Sequence, residues 1–390
     1  MGWLCFIVKR RRQHYTAVPM RALIIGHAYV ARDNRSKWER LARRGDVEIE
    51  IHLPHHWPSW EEEYRPSTEE RGCLKIRVDR ALRVGREDQY FFSPRFFRGL
   101  AGGSFDVLHV EQGTAAFVYS QALFERNLRA RKTKSCFFTW INWEFPLRWP
   151  WRFAEQYNLR HSDGAIGGNR EAVDILKRHG FRGKTVVIPQ LGVDADFYSP
   201  GSNPALHEKL GLKGLVIGFI GRLVPEKGVQ LLLKASEDLE KDVTLLFLGS
   251  GPLENELKNP QDKPHRKVIQ VSAVNHDEVR DYLRVMDVLA LPSYSTPTWK
   301  EQFGHVLIEA MACEIPVIGS SAGAIPEVIG DAGLVFAEKS VEEFSGKLRF
   351  LANSASERKA LGQQGRRRVL ENFTHERIAE QTLEFWRTLR

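Results

Sequence analysis

At 390 residues the chain is longer than one ordinary core, and a working range of roughly 100–200 residues per domain suggests two domains. Apolar residues make up 42% and charged residues 27%, the balance of a soluble globular protein, and no apolar run approaches the ~20 residues that span a bilayer. The formal net charge of +8 is uneven: residues 1–190 hold 33 Lys and Arg against 21 Asp and Glu, residues 191–390 hold 24 against 28.

A basic first half suggests an anionic partner (a membrane surface, a lipid-phosphate acceptor or an acidic glycan) or else a merely solvated surface. None of the recognition signatures of nucleic acid appears. Cys5, Cys73, Cys136 and Cys313 lie far apart without a CxxC pair, so their spacing defines neither a zinc site nor a disulfide framework, and a reducing cytoplasm is expected.

In chain order, residues 1–20 read as a disordered extension, with a membrane-touching tail or a true start at Met20 as alternatives. Its apolar stretch, Trp3 to Val8, precedes the basic cluster, the reverse of a secretory signal. Strands are predicted at 21–26, 47–53, 74–78, 107–110, 136–140 and 165–166, with helical patterns at 37–44 and 115–129. Asn169 can cap a helix over 170–179 that Gly180 ends. A Pro/Gly/Ser break at 196–204 separates this half from a second alternation. There strands are expected at 215–220, 243–248, 268–271, 288–291 and 316–319, and helices at 228–239, 277–285 and 304–313. Strands alternating with helices imply two parallel, doubly wound sheets, with ligands at the carboxyl ends of the strands in the cleft between them.

Two constellations carry chemistry. Gly221-Arg222-Leu-Val-Pro-Glu-Lys227-Gly228 follows a strand and opens a helix, so a guanidinium and an ammonium sit at a sheet edge beside backbone donors, which suits a diphosphate. A solvated charged loop is the plain alternative for that motif alone. Residues 301–312 read EQFGHVLIEAMA, with Glu301 before a helix and Glu309 within it; both can accept hydrogen bonds from sugar and ribose hydroxyls. Gly304 lets a ligand approach the backbone. A rival reading makes Glu301, His305 and Glu309 metal ligands at i, i+4 and i+8.

The segments GFIGRLVPEKGVQLLLKA (218–235), LFLGSGPLENEL (246–257) and EQFGHVLIEAMACEIPVIGSSAGAIPEVI (301–329), led by IPQLGVDADFY (188–198), resemble family 4 glycosyltransferases. The resemblance is strong over 160–380 and weaker before. It implies the GT-B architecture: an acceptor domain over 21–198 and a nucleotide-sugar domain over 205–375, both Rossmann-like and facing a central cleft, with a terminal helix over 376–390 crossing back to the first domain. It implies that Arg222 and Lys227 hold the donor diphosphate, Glu309 the ribose and Glu301 the transferred sugar. Phe303, Gly304 and Gly221 offer backbone contacts, and Gly249 and Gly251 lie near the base. It also implies retention of configuration, a nucleotide diphosphate sugar as co-substrate, and no cofactor or metal. The acceptor would be a sugar, a lipid-linked molecule or a small molecule, met in the cytoplasm or at the inner face of an anionic membrane.

The first half departs from the family pattern. Gly26-His27-Ala28-Tyr29 stands where many members have a double-glycine loop, and Glu111 where many have a histidine near the donor sugar. Glu111 can take that role, bind acceptor, or be a strand-end acid in water; His27 and His109 fit packed or strand-end positions. Trp140, Trp143, Trp149 and Trp151, among Arg148 and Arg152, suit packing in the first domain, a sugar face or a membrane interface. His55-His56 reads as a turn. An epimerase or hydrolase on the same fold, or a non-catalytic nucleotide-sugar binding protein, remains the alternative function; a nicotinamide dehydrogenase is disfavoured because no GxGxxG follows the first strand.

Overall fold

The computed structural model describes residues 19–58, 63–93, 105–258 and 263–390. The expected N-terminal extension lies outside the described residues up to position 18, and Met20 is already the first residue of a strand.

The first sheet contains β1 (Met20–Ile25), β2 (Val47–Pro54), β3 (Glu69–Arg71), β4 (Leu74–Asp79), β5 (Val107–Val110), β6 (Lys134–Thr139), β7 (Gly164–Gly167) and β8 (Lys184–Val187), ordered β8-β7-β6-β5-β1-β2-β4-β3. All neighbours pair in parallel except β3 with β4. Leu23, Ile24 and Ile25 are all buried, the near-continuous apolar run of a parallel strand covered on both faces. The antiparallel edge was not legible. Glu-Glu-Arg gives β3 no apolar alternation, and the strand forms because Gly72, at φ +58°, turns the chain back onto β4.

The second sheet contains β9 (Leu215–Ile220), β10 (Val243–Leu248), β11 (Arg266–Val271), β12 (Val288–Leu291), β13 (Val317–Ser320) and β14 (Leu334–Phe336), all parallel, ordered β11-β10-β9-β12-β13-β14. Each sheet reverses its winding once, between β1 and β5 and between β9 and β12. The connections after those strands therefore cross to opposite faces of the sheet, and a crevice opens at the strands' carboxyl ends.

Six helices frame the crevice and the first core: α1 (Ser36–Ala42), α2 (Phe117–Arg129), α3 (Trp151–His161), α4 (Arg170–Arg178), α5 (His305–Ala312) and α6 (His375–Leu389). Asn169 caps α4 by accepting from the Ala172 N–H at 2.8 Å, a contact worth about 1 kcal/mol in helix stability. The helix expected over 228–239 stops at Ala235. The Ser236 hydroxyl donates back to the Leu233 carbonyl at 2.9 Å, and Arg266 donates to that same carbonyl.

α6 follows the second sheet in sequence but buries Ile378, Leu383, Phe385, Trp386 and Leu389 in the first core. Trp386 stacks on Trp38 of α1 with ring centroids 5.7 Å apart and planes 8° from parallel. Its indole N–H donates to His109 Nδ1 at 3.1 Å. Among the described residues no helix is long and apolar enough to cross a membrane.

Candidate functional site

Because β9 and β12 are neighbours at the winding reversal, the loops that follow them meet. Gly228 lies against Pro292 so closely that a Cβ would sit 2.0 Å from the Pro292 carbonyl oxygen. The Tyr294 N–H donates to the Glu226 carbonyl at 2.8 Å. This contact brings the Arg222–Lys227 segment alongside residues 293–304.

Lys227 Nζ then reaches Glu301 Oε2 at 2.6 Å, and the Ser293 hydroxyl donates to the same oxygen at 3.0 Å. The ammonium also lies 5.0 Å from the centre of the Trp299 ring. Glu301 is buried, while Arg222 is exposed on the adjoining loop. The two residues expected to hold opposite ends of one donor, diphosphate and sugar, are thus within direct reach of each other.

The glycine-rich turn after β10 closes the same crevice. Gly249 has φ +147°, and a Cβ there would stand 2.0 Å from the Gly221 carbonyl oxygen, so no other residue fits. Gly251 approaches the Leu223 carbonyl in the same way. Gly304, at φ +78°, precedes α5, whose first N–H groups lack intrahelical acceptors.

Glu309 sits on α5 at 4% exposure, with Oε1 3.0 Å from His305 Nδ1; His305 Nε2 lies 3.0 Å from the Gly192 carbonyl. Burial pushes the Glu309 carboxyl up, but the His305 charge and hydrogen bond outweigh it and hold the group below its ordinary range. His305 moves up: burial opposes the charge, yet Glu309 and the Gly192 carbonyl more than offset that. Glu301, His305 and Glu309 do not converge on a point, since Glu301 pairs with Lys227 and His305 with Glu309; the metal-ligand alternative is thereby set aside.

The first domain supplies the facing wall. A cavity of about 560 Å³ lies between the domains, lined among others by Asp33, Asn34, Trp140 and Gln190 on one side and Glu301, Gly304 and His305 on the other. Asn142 Nδ2 donates to the Glu301 carbonyl at 2.9 Å, and Asn169 Nδ2 to the Gln302 carbonyl at 3.0 Å. The Trp140 and Phe303 rings meet at 5.6 Å. Two asparagines and one ring contact therefore fix the loop that carries Glu301 against the first domain.

Glu111 is placed otherwise than expected. Its carboxylate is fully buried, pairing with Lys37 Nζ at 2.6 Å and accepting from Gln190 Nε2 at 2.9 Å. Burial pushes this carboxyl up, but Lys37 and then His109 more than compensate and keep it low. Neither a strand-end acid in water nor a carboxylate open to acceptor describes it. Gln190, itself in the cavity wall, in turn accepts at Oε1 from Trp140 Nε1 at 2.9 Å, so Glu111 bears on the cavity through Gln190.

His109 is a packed histidine, pushed down to about 4 by burial, and His27 stacks on Trp57 at 4.4 Å. His55 forms part of a turn, its Nδ1 accepting from the Ala81 N–H at 3.2 Å. Packing accounts for Trp151, stacked on Phe117 at 6.0 Å, but not for Trp149, which is exposed. Sequence reasoning missed Lys37, Ser293, Asn142, Gln190 and Trp299. Only Asn169 had a signal, and that was as a cap.

This geometry, two facing doubly wound domains with an acid–base cluster at a shared crevice, defines a glycosyltransferase fold of the GT-B type. Residues 203–368 match the family of glycosyl transferases group 1 and residues 30–190 the glycosyl transferase 4-like domain. The chain belongs to the family 4 glycosyltransferases. It is 30% identical over 254 residues to the D-inositol 3-phosphate glycosyltransferase of Rhodococcus jostii (strain RHA1), covering 60% of this chain and 55% of that protein. The chain thus spans about half the length of the curated relatives it matches. Sucrose-phosphate synthase from Thermosynechococcus elongatus superposes with a TM-score of 0.68 at 19% identity, covering 95% of this chain and 99% of that one. Anabaena Alr3699/HepE in complex with UDP gives 0.68 at 15%, covering 95% and 100%. These structural likenesses show the fold.

Proposed function

We propose that the protein transfers a hexose-type sugar from a nucleotide diphosphate sugar to an acceptor hydroxyl, with retention at the anomeric carbon and without a metal, in glycan, glycolipid or polysaccharide synthesis. The observation that carries this reading is the convergence of Lys227, Glu301 and Ser293 at the winding reversal of the second sheet, beside the exposed Arg222. The bond between the anomeric carbon and the diphosphate oxygen breaks as the acceptor oxygen bonds to the same face. The acceptor's proton leaves with the diphosphate. Arg222 and Lys227 stabilise the charge that develops on the leaving group, and Glu301 orients the sugar. No protein nucleophile is needed.

Before the donor arrives, Lys227 rests on Glu301, so the donor diphosphate must draw the ammonium away as the sugar takes up the carboxylate. Glu309 accepts from the ribose. Glu111 is a positioning residue that acts through Gln190, and the acceptor enters from the first domain. The setting is the cytoplasm or its membrane face.

A thermal-shift panel of UDP-, GDP-, ADP- and dTDP-sugars tests the donor assignment. A ligand at 100 times its Kd should stabilise the chain by about 2.7 kcal/mol, selectively for one base. No shift with any of the four would overturn the reading.

A further inference from the structure

The first domain carries an exposed apolar surface that the transfer chemistry does not use. Five large apolar side chains between residues 124 and 153 stay in water: Trp149 is 82% exposed, Phe153 66%, Leu128 61%, Phe124 59% and Phe145 44%. Single exposed residues of this kind are ordinary, but five within thirty positions of sequence call for a partner.

Three of them, Phe124, Leu128 and Phe153, are gathered by two packed helices, and Trp149 stands just before the second. α2 and α3 pack alongside each other, with Phe117 and Trp151 stacked near their starts and Asn127 Nδ2 donating to the Tyr157 hydroxyl at 3.4 Å further on. Phe124 lies one turn before Asn127 and Phe153 one turn before Tyr157, so that contact sets the two phenylalanines on neighbouring positions. Leu128 continues the α2 face one turn on from Phe124. Trp149 belongs to the loop that leads into α3, whereas Phe145, farther back on that loop, lies with Glu155, Ile175 and His179 on the α4 side and is not part of the patch.

The charge around this surface has one sign. Arg131, Lys132, Arg148, Arg152 and Arg160 are exposed and form no ion pair among the described residues. The acids of the same stretch are already engaged: Glu125 with Arg129 at 3.2 Å, Glu144 with Arg178 at 2.7 Å, and Glu155 with the Thr114 hydroxyl at 2.7 Å. Arg126 faces inward instead, donating to the Ser135 hydroxyl at 2.9 Å, so it is not part of the patch. Aromatic and leucine side chains flanked by cations without acidic partners match the layered chemistry of a bilayer interface, apolar below and anionic phosphate above.

The patch also adjoins the cleft. The loop after β6 begins with Trp140 in the cavity wall and Asn142 on the Glu301 carbonyl, then reaches Trp149 within nine residues. An extended chain of that length covers at most about 30 Å.

The geometry points to this surface as a dock for an anionic bilayer, with Phe124, Leu128, Trp149 and Phe153 entering the interface while the arginines meet lipid phosphates. The dock rests on the proposed transfer activity only for its purpose, which is to hold the cleft beside a lipid-borne acceptor. Binding to the bilayer does not depend on turnover.

Co-sedimentation of the full chain with phosphatidylglycerol-containing and pure phosphatidylcholine vesicles, at low and high salt, tests it. Binding is expected to the anionic vesicles and to weaken with salt. At about fivefold in partition per basic residue, Arg148→Gln with Arg152→Gln should lower binding roughly 25-fold. Trp149→Ser with Phe153→Ser should lower it at both salt concentrations, and Lys359→Gln on the second domain should not change it. No vesicle binding, equal binding to both lipids, or undiminished binding by both double variants would overturn the dock. Nucleotide-sugar calorimetry on the same variants separates the two ideas. Donor affinity should match the parent chain in every variant, and a parent chain that binds vesicles but no nucleotide sugar would sink the transfer reading and leave the dock standing.

Discussion

Lys37→Met is the perturbation that bears most sharply on the interior of the first domain. The Lys37 side chain is 2% exposed and its ammonium touches a Glu111 carboxylate that is itself fully enclosed. Removing the ammonium leaves a buried carboxylate whose remaining neighbours are Gln190 Nε2 at 2.9 Å and His109 Nε2 at 3.4 Å. Deleting one member of a buried ion pair costs about 3–5 kcal/mol, and two surviving neutral donors place this case near 3 kcal/mol. Methionine keeps an apolar stem of similar length, so packing adds little, although the contact of the ammonium with the Trp38 ring, 4.4 Å from its centre, is lost as well. For a domain of this size about 3 kcal/mol corresponds to a fall in Tm of roughly 6–12 °C, read by differential scanning calorimetry. The paired substitution Lys37→Met with Glu111→Gln removes the orphaned charge, keeps an acceptor for Gln190, and should recover most of the loss. A single variant within 1 kcal/mol of the parent chain, or a double variant no more stable than the single one, would refute the reasoning.

Four further outcomes are expected. Arg222→Ala and Lys227→Ala should each lower turnover by about 10²–10³ with little loss of stability, since each removes a charge from the leaving group; near-normal rates in both would reject the clamp. Glu309→Ala should weaken free nucleotide diphosphate and nucleotide sugar alike in calorimetry. Glu301→Gln should weaken only the sugar-bearing donor and leave the free diphosphate bound as well or better, because Lys227 is released; equal losses for both ligands would reject that division. Turnover should survive EDTA, and activity abolished by chelation and restored by Mg²⁺ would count against metal-independent transfer. Because His305 is raised, its pairing with Glu309 contributes stability in full below about pH 6.5 that is lost as pH climbs through the folded-state value. His305→Gln should flatten that part of the stability–pH curve, and an unchanged slope would contradict the pairing.

The sequence carried the second domain further than the first. Val288–Leu291 and Val243–Leu248 stand where apolar runs placed them, because parallel strands buried on both faces leave little else such runs can be. The crevice of the second domain was legible through segments that resemble those of family 4 glycosyltransferases, and Gly249 and Gly304 within them stand at forced close approaches. What the sequence concealed was pairing at a distance. Nothing in the local pattern at Lys37 says that it meets Glu111 74 residues on, and an acid at a strand end looks the same whether it faces water or a buried ammonium. Asn142 and Asn169 were hidden for the same reason: their partners are backbone carbonyls of a loop more than 130 residues away. The tryptophan-rich stretch divided three ways, Trp140 into the cavity wall, Trp151 into packing and Trp149 into water, because position on the loop and helix, not residue type, decides exposure.

The central claim is glycosyl transfer from a nucleotide sugar with its configuration kept. Proton NMR of a turnover mixture tests it most directly, using the donor that stabilises the chain, a candidate acceptor alcohol and a chelator. Retaining transfer predicts a new glycosidic anomeric proton whose coupling matches that of the donor, with nucleotide diphosphate released in equal amount. An inverted anomeric signal, an epimerised donor, or free sugar as the sole product would contradict it.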